Sequence, residues 1–272
     1  MSDPVFIANP VMARMRAGQP ALGMSLRMGR SGEIVRIAKA TGHDFIFIDV
    51  QHSLFNPETV GHLAHVALSC GIAPMVRVRS VADPNTSLYL DNGVTGIIFP
   101  DVNTAADAQR CVDAVKFAPM GKRSVCGGYP HFDYRAVPLA QSLPALNDAA
   151  MVVCMIETLE GLQNVEAIAA VNGVDVIHVG SNDLLVNMGK AGRFDDPEIV
   201  AAQERVIAAA KAHGKFAGIG GNRDVERQAA AIRKGCLYVT TQTDIGFLTA
   251  AAGQWTRGVR EALEKTAGAK PG

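Results

Sequence analysis

The chain has 272 residues, long enough for a sizeable core in one large α/β domain or two small ones, and it balances 26 basic against 26 acidic residues. A net charge of zero with no basic stripe or tail excludes nucleic acid and an electrostatically held membrane surface as partners. The opening stretch, MSDPVFIANPVMARM, lacks a basic segment followed by an apolar one, and no apolar run reaches the ~18 residues of a membrane span, so the expectation is a cytoplasmic protein.

Taken in order, a short helix over Pro10–Ala17 precedes a regular alternation: strand Ala21–Ser25, helix Ser31–Ala40, strand Asp44–Asp49, helix Pro57–Cys70, strand Pro74–Val78, helix Pro84–Asn92, strand Gly96–Pro100, helix Thr104–Phe117. A long stretch rich in Gly, Pro and aromatics, roughly Ala118–Ala149, reads as a loop that is functional or covers a partner surface. Strand Met151–Ile156 and strand Val174–Val179 then flank a helical segment marked by Leu162, Val165, Ile168 and Ala169. The chain continues with helix Pro197–His213, strand Phe216–Ile219, helix Asp224–Lys234, strand Leu237–Thr241 and a helical tail from Asp244.

Eight strands alternating with helices and no composition break predict one (β/α)₈ TIM barrel spanning residues 1–272, with its active site on the loops that follow the strands. A doubly wound sheet is the alternative; it wants a G-x-G-x-x-G after the first strand, and the nearest approach, Gly218-Ile-Gly-Gly221, lacks the spacing. The five cysteines, Cys70, Cys111, Cys126, Cys154 and Cys236, are odd in number and form no C-x-x-C pair, which fits small core hydrophobes in a reducing compartment.

A crossover of the length between the Met151 and Val174 strands makes them parallel, so Glu157 and Asp183 emerge at the same carboxyl edge. Two acids sharing a small volume repel, and oxygen donors of this kind suit Mg²⁺ or Mn²⁺ better than a thiolate-seeking metal. The bland alternative is that Glu157 caps the next helix and Asp183 sits in a turn. Other polar residues at strand ends join them: Asp49 and His52 after the second strand, Arg77 at the end of the third. A guanidinium fork suits a substrate carboxylate, and an imidazole is a common general base near neutral pH. Singly, Asp49 and His52 could be a cap and a turn, and Arg77 a scaffold partner for an acid at the barrel mouth. Of the other histidines, His178 reads as a satisfied residue inside its strand, and His131, in the long loop, is the remaining candidate to reach a site. None of the nine lysines falls at the carboxyl end of a strand, so a Schiff base has no amine and carbanion stabilisation falls to a metal.

These residues resemble those of the HpcH/HpaI family, the class II, metal-dependent pyruvate aldolases of the phosphoenolpyruvate/pyruvate-binding barrels. The likeness rests on Leu22-Gly23, D-F-I-F-I-D-V-Q-H-S, P-M-V-R-V, Y-L-D-N-G-V-T-G-I-I-F-P, A-P-M-G-K-R-S, M-I-E-T and G-S-N-D-L, in order from about Leu22 to Phe247. It implies that Glu157 and Asp183 hold a divalent metal (Mg²⁺, Mn²⁺ or Co²⁺) that also binds pyruvate, that His52 is the base, and that Arg77 holds the substrate near its keto oxygen. It further implies that Asp49 and Asp91 orient His52 and subunit contacts, that backbone N–H groups around Gly180, Ser181, Asn182 and Asp183 receive the pyruvate carboxylate, and that the chain forms trimers or dimers of trimers with its last helix on a neighbour. Gln51 stands where many members have Glu, and Met155 where many have Gln; neither change deletes a ligand.

The expected activity is therefore reversible aldol cleavage of a 4-hydroxy-2-oxo acid to pyruvate or hydroxypyruvate and an aldehyde. Two alternatives stand beside it: a lyase on a CoA thioester like the citrate lyase β and malyl-CoA lyase relatives, which would want a basic nucleotide-binding loop, and a barrel that binds without turnover, which would need no base. In the tail, Leu248, Trp255, Val259 and Leu263 form an apolar stripe expected to seat a homo-oligomer, a trimer or hexamer.

Overall fold

In a computed structural model describing residues 6–268, eight parallel strands close on themselves in the order β1 to β8, with β1 pairing β8; residues 1–5 and 269–272 of the predicted domain lie outside the described residues. Helix α1 (Pro10–Arg16) leads into β1 (Ala21–Leu26), α2 (Gly32–Ala40), β2 (Phe45–Asp49), α3 (Pro57–Cys70), β3 (Ala73–Arg77), α4 (Thr86–Asp91), β4 (Gly96–Phe99) and α5 (Ala105–Val115). Then come α6 (Leu139–Ala149), β5 (Met151–Ile156), α7 (Leu159–Gln163), α8 (Val165–Ala169), β6 (Val176–Gly180) and α9 (Ser181–Asn187). The chain closes with α10 (Pro197–Ala212), β7 (Phe216–Gly220), α11 (Val225–Lys234), β8 (Cys236–Thr243) and α12 (Asp244–Gly268).

The strands read as continuous apolar runs because both faces are covered: helices pack outside and side chains fill the inside. Strand β2 is buried at every position. Helix starts follow their side chains. Asn56 accepts the Thr59 N–H ahead of Pro57, Thr104 and Asp107 form a reciprocal capping box, and Asp196 accepts the Glu198 N–H ahead of Pro197. The interior divides along the barrel axis. Toward the amino end, Phe45, Met75, Ile98, Met151, Val153 and Tyr238 pack with α1 residues Val11, Met12 and Met15 into an apolar plug, with Phe45 and Tyr238 stacked at 4.4 Å. Gly23 and Gly96 make room for it, since a Cβ there would run into the Phe45 ring or the Met75 side chain. The carboxyl end is left for polar groups.

Three expectations need correction. The stretch 118–149 is not all loop: after a 3-10 turn at Pro130–Phe132, α6 occupies its last third even with Pro144 inside it. The helix between β5 and β6 breaks at Asn164 into α7 and α8. Helix α9 follows β6 without a loop, so Asp183 stands in a helical first turn.

Candidate active site

At the carboxyl end the strands surround a cavity of about 270 Å³. Register brings its polar residues level: Asp49 pairs with Arg77 across β2 and β3, Met155 with His178 across β5 and β6, and Gly180 with Gly220 across β6 and β7. Asp49 is 2 % exposed. Its Oδ1 and Oδ2 accept from Arg77 Nε and Nη2 at 3.1 and 2.8 Å, a bidentate fork, and Arg77 also lies over the Phe47 ring at 5.3 Å. Oδ1 accepts the backbone N–H groups of Gln51 and His52 as well. Burial works to raise the Asp49 carboxyl, but the Arg77 hydrogen bonds and charge outweigh it and hold the group below its ordinary range.

Glu157, directly after β5, is 3 % exposed and, among the described residues, has no cation in ion-pair contact. Its Oε1 accepts the backbone N–H of Asp101 at 2.8 Å, and its Oε2 packs so closely on Gly180 that a Cβ there would sit 2.5 Å away. Burial, with the nearby charges of Asp101 and Asp183, pushes this carboxyl up to about 7. It does not cap the next helix; Thr158 does, accepting the Gly161 N–H. Asp183 faces the cavity from α9, while Asn187 Nδ2 donates to the carbonyls of both Asp183 and Glu157 and so fixes the two acids' elements together. Glu157 stands beside the cavity behind Gly180, outside its lining. A buried carboxyl raised by burial and by its acidic neighbours, beside a second carboxylate and with no thiolate, offers hard oxygen donors that fit a divalent cation.

His52 lines the cavity with an exposed ring. Asp49, expected to help orient His52, accepts the His52 backbone N–H and gives both carboxylate oxygens to Arg77. Asp91 is not brought to the site. It lies at the end of α4, paired with Arg123 at 2.6 Å, because α4 is on the outer ring of helices. His131 also stays away, its Nε2 against the Val94 carbonyl at 3.2 Å. His178 is the opposite surprise. It forms part of the cavity floor, packed edge-on against Tyr238, with Nδ1 buried and unpartnered, and burial pushes its pKa down to about 3, which keeps it neutral.

Gly180, Ser181 and Asn182 line the same wall, and the Ser181 Oγ is buried without a partner. The lining also includes residues the sequence did not single out, Arg27 after β1, Arg223 after β7, Ser25 and Thr240, together with Gly220 and Gly221. Asp101, whose backbone N–H holds Glu157 from two residues past β4 at φ 52, was not singled out either.

The HpcH/HpaI aldolase/citrate lyase model matches residues 27–247. A 4-hydroxy-4-methyl-2-oxoglutarate aldolase of Chaetomium globosum is 37 % identical over 249 residues, covering 90 % of this chain and 92 % of that one. A hydroxypyruvate/pyruvate aldolase of Rhizorhabdus wittichii is 34 % identical, covering 90 % and 96 %. The crystal structure of an HpcH/HpaI aldolase from Desulfitobacterium hafniense superposes with a TM-score of 0.89 at 26 % identity, covering 93 % of this chain and 98 % of that one. With its barrel, its two rim acids and its Asp49–Arg77 pair, the chain belongs to the HpcH/HpaI aldolase/citrate lyase family.

Proposed function

We propose that the protein is a class II aldehyde-lyase that reversibly cleaves a 4-hydroxy-2-oxo acid into pyruvate, or hydroxypyruvate, and an aldehyde, the whole chain serving as one catalytic domain. The observation that carries this reading is the meeting at one barrel rim of two unpaired acids, Glu157 and Asp183, with an arginine held by Asp49. Among the described residues no lysine lines the cavity, so a Schiff base has no amine there. Named relatives acting on 4-hydroxy-2-oxo acids support the same reaction class.

Glu157 and Asp183 would hold a divalent cation, Mg²⁺, Mn²⁺ or Co²⁺, which when bound polarises the 2-oxo group as a Lewis acid. The protein's own groups do the rest. Backbone N–H groups of Ser181, Asn182 and Asp183, beside Gly180, receive the substrate's 1-carboxylate. His52 takes the proton of the 4-hydroxyl as the C3–C4 bond breaks. Arg77, immobilised by its fork to Asp49, faces the negative charge that grows on the pyruvate half, a fixed donor that favours the transition state over the ground state. His178, whose pKa burial lowers to about 3, is a weak proton acceptor, so the base role goes to His52.

The test is pyruvate release from several 4-hydroxy-2-oxo acids by chelated protein with each metal restored in turn. Release only with metal is expected; full activity in chelator, or a borohydride-trapped substrate adduct, overturns the reading.

Assembly belongs to the same proposal. On α12, Leu248, Val259 and Leu263 are exposed and Trp255 is 79 % exposed. A face of this kind supports a homo-oligomer, a trimer or hexamer, built partly on α12. Among the described residues no helix is long and apolar enough to cross a membrane, and the protein is read as cytoplasmic. A chain ending before Gly253 should sediment as an assembly of fewer subunits; one that still sediments as the same oligomer would count against α12.

A further inference from the structure

Two arginines of the loop after β1 reach across to the loop after β2, which carries His52. Arg27 Nη2 donates to the His52 carbonyl at 3.2 Å. Arg30 Nη2 donates to the Leu54 carbonyl at 3.3 Å, with its Nη1 on the Met28 carbonyl and its guanidinium over the Phe55 ring at 5.0 Å. No strand or helix holds this stretch, since β2 ends at Asp49 and α3 begins at Pro57.

Asp49 closes the arrangement. Its Oδ1 accepts the His52 N–H at 3.2 Å, and its Oδ2 stands 3.5 Å from Arg27 Nε. The two peptide groups that flank the His52 Cα are therefore gripped by one ion pair, the N–H by the carboxylate and the carbonyl by the guanidinium. Asp49 does not need Arg27 for its own charge, because the Arg77 fork already occupies both of its oxygens. What Arg27 adds is the hold on His52. Its side chain is 40 % exposed, but its main chain is fixed from behind, where Asp244 accepts the Arg27 N–H at 3.0 Å. Among the described residues no side chain hydrogen-bonds the His52 ring, so the aim of the ring depends on how its main chain is held. A reacting group displaced by about 1 Å can cost about a hundredfold in rate.

We propose that Arg27 is a positioning residue for the cleavage: paired with Asp49, it fixes the main chain of His52 and so aims the imidazole that takes the 4-hydroxyl proton. The proposal rests on the aldolase reading for the work of that imidazole, but not for the grip on its main chain.

The test uses the full chain with Mg²⁺ and follows pyruvate release and the His52 ring together. Arg27→Met keeps the stem and removes the donors. It should lower kcat by about tenfold to a hundredfold, with pyruvate affinity by calorimetry and methyl proton exchange within about threefold of the parent. Arg27→Lys places a charge beside Asp49 without a fork to span it and the His52 carbonyl; it should restore little of the loss, and it carries the same readouts should Arg27→Met fail to fold. In a His52→Ala background Arg27→Met should cost less than about twofold more, because no ring is left to aim. A full-sized loss in that background, or a parent-like kcat in Arg27→Met, overturns the proposal. In nuclear magnetic resonance spectra the His52 ring signal, identified by its absence in His52→Ala, should shift or broaden in Arg27→Met, and the Gln51 and His52 amides should exchange with deuterium about tenfold faster. A ring signal and amides that stay as in the parent also overturn it. If the parent cleaves none of the 4-hydroxy-2-oxo acids while the ring signal and amides respond to Arg27→Met, the grip on His52 stands and the aldolase reading falls.

Discussion

Asp49 and Glu157 sit at the ends of strands of the same barrel, 2 % and 3 % exposed, yet their carboxyls move in opposite directions. Burial raises both. Asp49 has a guanidinium fork and two backbone N–H groups, which together reverse that effect; Glu157 has one backbone N–H and two acidic neighbours, which do not. Equal depth with opposite outcome means that the partner, not the burial, decides the state of a buried acid here. It also separates two jobs: Asp49 is finished within the chain, whereas Glu157 is left wanting a positive charge from outside.

The sharpest way to break the contrast is at Glu157. Glu157→Ala, and equally Asp183→Ala, should abolish metal-dependent pyruvate release while leaving the far-UV circular dichroism intact; a Glu157→Gln protein as active as the parent would show that its charge is not used. Next in size, Arg77→Ala should lose about a hundredfold to a thousandfold in kcat, together with metal-dependent proton exchange at the pyruvate methyl group. His52→Ala should lose a similar factor in cleavage while still binding pyruvate, and a rate within about threefold of the parent would make His52 structural. Asp49→Ala strands Arg77 and should in addition destabilise the fold by about 3–5 kcal/mol in a denaturant titration, as expected when one member of a buried pair is removed.

The smallest effect is in pH. With the folded Glu157 carboxyl near 7 and its ordinary value 4.5, the folded state binds more protons than the unfolded one between those values. Stability of metal-free protein attributable to this group should therefore fall as pH rises through that window and level off above it. Metal binding should tighten over the same range and release a proton, because the cation displaces it. His178 has the reverse sign: its pKa of about 3 against an ordinary 6.5 means that its contribution is lost as pH falls below 6.5. Calorimetric melts of Glu157→Gln and His178→Phe across pH 4–8 test the two signs separately.

The barrel was legible because strands such as β2 and β6 are short β-branched or aromatic runs and several helices carry a start signal, as at Asn56-Pro57 and Asp196-Pro197. The rim acids were legible for a related reason: a strand end followed by an acid is a local pattern. What failed was nonlocal. The sequence predicts no helix over Ser181–Asn187, yet the rim of β6 launches α9 there directly; Pro144 argues against a helix that tertiary packing of Ala145, Leu146 and Ala149 nonetheless holds. Asp91 enters on resemblance alone, with a role that includes subunit contacts; within the chain, α4 turns it toward Arg123. Arg27 and Arg223 carry no pattern at all, since a single arginine in a loop usually means solvent; only ring closure, which makes β1 and β8 neighbours, brings the two to one cavity.

Ring closure is also recorded in one carboxylate. Asp244, buried as the first residue of α12, accepts the backbone N–H groups of Arg27, Met28 and Gly29 at 3.0, 2.9 and 2.7 Å. Three successive amides of the loop after β1 therefore share a single acceptor at the root of the last helix. They should exchange with deuterium as one unit, at a rate set by the opening of that root, so the timing of the Arg27 loop is governed from the far end of the chain.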